Sequence, residues 1–322
     1  MVVLQEKTLV SAPVVFGSLR WFKPYFDVCR VESWLSWVFG FVLGAVSFSS
    51  LLLGQAVAIF FAFSFATASI FVLNQYFDRQ ADEKNEHKSS LPIASGQISP
   101  SNALIFSFLL MGSCFVLVYI VDINLSLPLL VYIALWGLYS APTPKLKSRP
   151  IVDFLTSGVG AGFLPFYIGS SIPHQSGVNL SFILLAATPL TLFQCGAHII
   201  QTIGDFEADR EAGISTFVVR YGRKKGVVIA SLMFLSAFLF PFACLFAGLV
   251  SPDHIIFLSV LLLLSLPSLL RFGDLYRNPC SANVARLQKS VRKYGILVLI
   301  IAWAYVLFTK NVFVGLPWER IV

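Results

Sequence analysis

The sequence predicts an all-α, multi-pass membrane protein with nine transmembrane helices. Of its 322 residues, 57% are hydrophobic and 12% are charged, against about 25% charged in soluble domains, and the mean hydropathy is +0.80. Nine apolar stretches of roughly 17–25 residues recur along the chain, the length needed to cross the hydrocarbon core. The Lys and Arg residues between them gather in alternate loops.

Residues 1–32 form an N-terminal segment carrying Glu6, Lys7, Arg20, Lys23, Asp27, Arg30 and Glu32. It has no long apolar run, so no signal peptide is expected. Its stretch 16–27 mixes aromatic and basic side chains, a pattern suited to the membrane interface. The predicted spans lie at about 33–53, 55–76, 101–121, 125–141, 151–171, 180–203, 226–250, 254–271 and 293–312. The N-terminus and the loops after spans 2, 4, 6 and 8 hold 21 of the 23 Lys and Arg, leaving Lys310 and Arg320 for the other side. The positive-inside rule therefore places the N-terminus and those loops in the cytoplasm, and an odd span count places the C-terminus outside.

The net charge of +7 belongs to that cytoplasmic face and suits anionic lipid headgroups. Nucleic acid is not an expected partner, because the basic residues are divided among short loops, and no protein partner is implied. The five cysteines show no ligand spacing and read as small apolar residues. His198, inside span 6, is an intramembrane imidazole that reads equally as a cavity-facing group or as one bonded to a neighbouring helix.

The chain reads as one domain of two similar halves, about 33–150 and 151–292, with the ninth helix left over. Asp78 precedes Asp205 by 127 residues, as Asp82 precedes Asp209. Internal repeats in membrane proteins place sites at the repeat interface.

Those aspartates carry the chemistry. The clusters Asn74-Gln-Tyr-Phe-Asp78-Arg-Gln-Ala-Asp82 and Asp205-Phe-Glu-Ala-Asp209 each follow a long apolar span. A carboxylate near a membrane centre costs about 2.5–3.5 kcal/mol on insertion scales, so two such clusters require a reason. Residues four apart share one helix face, so Asn74, Asp78 and Asp82 form one stripe of oxygen ligands and Asp205 with Asp209 a second. Mg²⁺ commonly takes one or two carboxylates plus phosphate oxygens. Facing stripes of this kind suit a diphosphate leaving group, and an allylic carbon left as a cation needs a dry, aromatic-lined cavity, for which the chain has 31 Phe.

On these residues the chain resembles the UbiA superfamily of intramembrane prenyltransferases. Asn74, Asp78 and Asp82 match the family's NxxxDxxxD motif, and the loop from Asn85 through Lys88, Pro92 and Gly96 is similar to the stretch that follows it. Tyr139-Ser-Ala-Pro-Thr-Pro-Lys145-Leu-Lys147 resembles the family's YSxPP(R/K)LK signature, and Asp205 through Thr216 its second aspartate motif. The resemblance covers nearly the whole chain. It implies nine helices around a cavity with a lateral opening to the bilayer, and Mg²⁺ held by Asn74, Asp78, Asp82, Asp205 and Asp209. It further implies diphosphate contacts from Lys88, Tyr139, Lys145 and, less directly, Arg30. The four aspartates would be catalytic, moving a prenyl group from a polyprenyl diphosphate to a lipophilic acceptor.

In one respect the chain departs from family members that act on aromatic acceptors. They carry a third Asp one turn before the second motif, where this sequence has Gln201 and Thr202. The run from His198 to Gly213 is more similar to lycopene-elongase-like and archaeal members, which weakens the case for quinone-type acceptors. Two other uses of the carboxylates compete with transfer: cyclisation of an allylic diphosphate without an acceptor, and a cation site in a secondary transporter. Transporter sites sit near the bilayer midplane on interrupted helices, whereas these clusters sit at helix ends beside Lys and Arg.

Overall fold

The computed structural model describes residues 16–48, 53–85, 88–172 and 180–312. Glu6, Lys7, residues 86 and 87, Arg320 and the C-terminus lie outside those residues. Every regular element among them is helical: α1 (Phe16–Val28), α2 (Leu35–Phe48), α3 (Leu53–Lys84), α4 (Pro100–Val121), α5 (Ser126–Ser140), α6 (Val152–Gly158), α7 (Leu164–Ser170), α8 (Leu180–Gly204), α9 (Phe206–Glu211), α10 (Phe217–Tyr221), α11 (Arg223–Phe246), α12 (Ile255–Arg277) and α13 (Ser281–Val312). The interfacial stretch expected at 16–27 is α1.

Seven segments among the described residues are long and apolar enough to cross a membrane: Phe22–Ser47, Gly54–Lys84, Pro100–Val121, Ile123–Ser140, Leu180–Gly204, Arg223–Phe246 and Pro252–Arg277. Two of the nine expected spans are not among them. The stretch 151–171 is divided into α6, a π-helical turn at Val159–Phe163, and α7. The stretch 293–312 is the second part of α13, whose first part is basic and polar.

Helices of this kind face apolar surroundings on both sides, so their sequences are apolar nearly all round. On α4, for example, Ala103, Cys114 and Val118 are buried, while Phe108, Leu109, Val116 and Ile120 are exposed to where lipid would lie. Ser99 starts that helix by accepting the Asn102 N–H at 3.2 Å, with Pro100 at the first helical position, where its missing N–H costs nothing.

One core cluster joins α2–α5 to α7 and includes Trp37, Phe41, Phe63, Leu129, Tyr132 and Ile168. Another joins α6, α8 and α10–α13 and includes Phe154, Ile199, Val227, Phe234, Phe272 and Leu287. Within the first cluster α2 packs on α7, and α13 links the two by touching both α8 and α2. The α2–α7 crossing depends on glycine. A Cβ at Gly44 would overlap the Phe166 carbonyl oxygen, and one at Gly169 would overlap that of Phe41. Small residues that let helix backbones approach are the usual means of helix association in membranes.

Candidate active site at the mouth of the helix bundle

α3 runs unbroken for 32 residues, so Asn74, Asp78 and Asp82 do share one face, as the four-residue spacing requires. Asn74 Nδ2 donates to Asp78 Oδ2 and to Ser140 Oγ on α5, each at 3.0 Å, which orients its carbonyl oxygen and ties the motif to the neighbouring helix. Gln75, on the other face, donates at 2.7 Å to the Val28 carbonyl and anchors α3 beneath α1. Asp82 is 9% exposed.

The second motif is built differently. α8 ends at Gly204, Asp205 stands between helices, and α9 begins at Phe206. The Asp209 N–H still reaches the Asp205 carbonyl at 2.8 Å, so the two side chains remain one turn apart. The Ile214 N–H then donates to the Asp209 carbonyl at 2.8 Å. Asp153, fully buried on α6, accepts the Phe217 N–H at 2.7 Å and pins the segment leading into α10. Burial first, and then the Asp205 charge, push the Asp209 carboxyl up to about 7, against the opposing pull of Lys88 and Lys147.

Two lysines connect the motifs. The loop after α3 folds back on itself through turns at Lys88–Leu91 and Leu91–Ser95, and its Ile93 and Ile98 are buried against Val28, Val72 and Ala103. This packing holds Lys88 Nζ 3.5 Å from Asp205 Oδ2. Lys147, 8% exposed at its side chain, forms an ion pair with Asp78. It is delivered by a short helical turn, Leu146–Ser148, that starts from Lys145 in the left-handed conformation at φ 50°. Lys145 itself does not line the cavity described next, whereas Lys147 does. The signature loop thus presents the second of its lysines, not the expected first.

All five motif residues, together with Arg30, Lys88, Tyr139 and Lys147, line one cavity of about 1700 Å³. The Arg30 guanidinium lies 5.9 Å from the centre of the Phe71 ring, in the field of Asp82 and Asp205. Below the charged groups the walls are apolar. Trp37 stacks on Trp136 at 4.6 Å between centroids, and Phe71 lies 5.2 Å from Trp37. Tyr139 meets Trp136 and His198 edge-on at 5.2 and 6.1 Å. Gln201 and Thr202 also line the cavity, and the Thr202 hydroxyl donates to the Ile199 carbonyl at 3.0 Å, so no carboxylate stands there. Arg223, which the sequence reading did not single out, lines the cavity, lies over the Phe206 ring at 4.3 Å and pairs with Glu207 at 2.9 Å. Its position two residues beyond Tyr221, in the basic first turn of α11, carries no signal that would separate it from neighbouring Lys224 and Lys225.

Residues 33–290 match the UbiA prenyltransferase family. The chain belongs to that family. Among its UbiA relatives, digeranylgeranylglyceryl phosphate synthase of Methanobrevibacter smithii is 28% identical over 89% of this chain and 98% of the relative. Lycopene elongase/hydratase of Halobacterium salinarum is 29% identical over 68% of this chain and 79% of the relative. A UbiA homolog from Archaeoglobus fulgidus, solved bound to DMAPP and Mg²⁺, superposes with a TM-score of 0.71 at 19% identity, covering 88% of this chain and 99% of that one. The chain is therefore an integral-membrane prenyltransferase with the UbiA fold, and both relatives lie on the branch that the second motif resembles.

Proposed function

We propose that the protein is a Mg²⁺-dependent enzyme that moves an isoprenyl group from a polyprenyl diphosphate, such as geranylgeranyl diphosphate, to a lipophilic acceptor. One observation carries this reading: both acidic pairs and two lysines meet at the mouth of a single large, aromatic-walled cavity. A site built for a cation alone would not place Lys147 on Asp78 and Lys88 near Asp205.

The donor set fits Mg²⁺. Among the described residues no three His, Cys, Asp or Glu side chains converge into a ready metal group; the carboxylates come as two separate pairs. That arrangement suits a hard cation that takes one or two carboxylates and completes its shell with water and substrate phosphate. Asn74, Asp78, Asp82, Asp205 and Asp209 would hold it, and it supplies Lewis-acid stabilisation of the departing diphosphate. Lys88 and Lys147 exchange their carboxylate partners for phosphate oxygens, and Arg30 and Tyr139 close the sides of the diphosphate pocket. The rings of Trp37, Phe71 and Trp136 exclude water and face the allylic carbon as positive charge develops.

In the membrane, nine spans with a cytoplasmic N-terminus place this mouth on the cytoplasmic side, as the charge distribution supports. The repeat halves then face each other across the cavity. Thr202 in place of an acidic residue, together with the names of the relatives, supports an isoprenoid acceptor, either a glyceryl phosphate lipid or a polyene, over an aromatic one. Asp78→Ala or Asp209→Ala abolishes transfer from labelled geranylgeranyl diphosphate while the protein still inserts and folds; near-normal turnover in either variant refutes the proposal. A cyclic hydrocarbon formed from the donor alone would establish the cyclase instead.

A further inference from the structure

His198 is not accounted for by the diphosphate site. It lies on α8 seven residues before Asp205, close to two full turns, so both project from the same face with His198 about 10 Å deeper in the bundle. It lines the cavity. Its Nε2 is buried and has no hydrogen-bond partner among the described residues, although buried imidazole nitrogens are ordinarily paired. The facing group is Tyr139 from α5, edge-on at 6.1 Å. Leu190, Phe193 and Ala197 on α8 line the cavity around it.

We propose that His198 Nε2 is the base that receives the acceptor's proton, in the transfer reaction on which this inference rests. The chemistry needs such a group. The donor C–O bond breaks and its electron pair leaves on diphosphate. An acceptor lone pair or π pair forms the new bond to the allylic carbon. One proton must then leave, from the attacking hydroxyl or from a carbon beside the cation left on an alkene. The mouth carboxylates are committed to metal and diphosphate, and the mouth lysines are cations. Deeper than the diphosphate, on the cavity wall a lipid acceptor would lie against, His198 in its Nδ1–H tautomer offers a lone pair at Nε2, and its proton returns to water at the mouth when diphosphate departs. The acceptor class follows: a hydroxyl or alkene that gives up one proton on coupling.

The test uses full-length protein in lipid nanodiscs with Mg²⁺ and labelled geranylgeranyl diphosphate. The acceptor probes are geranylgeranylglyceryl phosphate and lycopene, each added separately. His198→Gln and His198→Asn keep a polar side chain without a basic nitrogen. Coupled product falls about 100-fold or more in both, the scale of a lost general base, and the prenyl alcohol from water capture rises relative to coupled product. Binding of the inert geranylgeranyl thiolodiphosphate changes less than about threefold on the same scale. Coupling within threefold of wild type in both variants overturns the inference. So does parallel loss of coupling and of analogue binding, which marks a structural role. Wild-type protein that couples neither acceptor refutes the transfer reading itself.

Discussion

Lys147→Met is the substitution that probes the site most directly. The Lys147 side chain is 8% exposed and its partner Asp78 20%, so the ammonium is held in place and largely out of water. A charge-assisted hydrogen bond from such a group to a phosphate oxygen contributes about 1.5–3 kcal/mol. At about 1.4 kcal/mol per decade, donor affinity falls roughly 10- to 150-fold. Lys145→Met, two residues away and outside the cavity lining, leaves affinity within about fivefold, since a partly solvated cation contributes at most about 1 kcal/mol. The assay is titration of purified variants in detergent with an inert prenyl thiolodiphosphate and Mg²⁺, alongside turnover at saturating donor. Unfolding of the metal-free proteins is followed in parallel, because Lys147→Met leaves Asp78 without its cation. A larger loss from Lys145→Met than from Lys147→Met would refute the assignment drawn from the geometry of the signature loop.

Other expectations concern acidity and packing. Because burial and Asp205 hold Asp209 up to about 7, protons compete with the metal there. Mg²⁺ affinity measured without substrate weakens as pH drops through neutrality, and Asp209→Asn flattens that profile. The folded value lies above the unfolded carboxyl at about 4, so this group erodes the stability of the metal-free fold as pH rises between about 4 and about 7. A denaturation midpoint that rises over that window in wild type relative to Asp209→Asn would contradict the sign. Gly169→Ala places a methyl group against the Phe41 carbonyl and lowers stability by about 1–3 kcal/mol, seen as an earlier unfolding midpoint in detergent. Asp153→Ala strands the Phe217 N–H at a cost of about 1–3 kcal/mol, and hydrogen exchange should speed up at Phe217–Tyr221 first.

Much of the architecture is legible in the sequence because its signals are long. The run from Leu53 to Lys84 is helical throughout, which turns the spacing of Asn74, Asp78 and Asp82 into a geometric statement. The five aligned metal-type ligands share one cavity for that reason and because α8 brings Asp205 to the same end. Shorter-range features are hidden. The stretch 151–171 is apolar enough to suggest a plain span, yet its glycines let α8 approach so closely that a Cβ at Gly162 would sit 2.7 Å from the Leu190 carbonyl oxygen, and the helix loosens into a π turn there. The choice between Lys145 and Lys147 turns on a single left-handed residue, and no pattern of residue types announces a positive φ at lysine. Arg223 is held at the cavity by packing on Phe206 and pairing with Glu207, contacts between residues 17 and 16 apart.

The glycine contact between α2 and α7 bears on how the protein works as a machine. Gly44 against the Phe166 carbonyl and Gly169 against the Phe41 carbonyl bring the backbones of α2 and α7 into direct contact. Transporters expose a midplane site alternately by rocking one repeat against the other, and a joint of this closeness resists such motion because packed interiors do not deform continuously. Such a joint suits a fixed crucible set in the bilayer, whose walls hold their shape as reagents enter, react and leave.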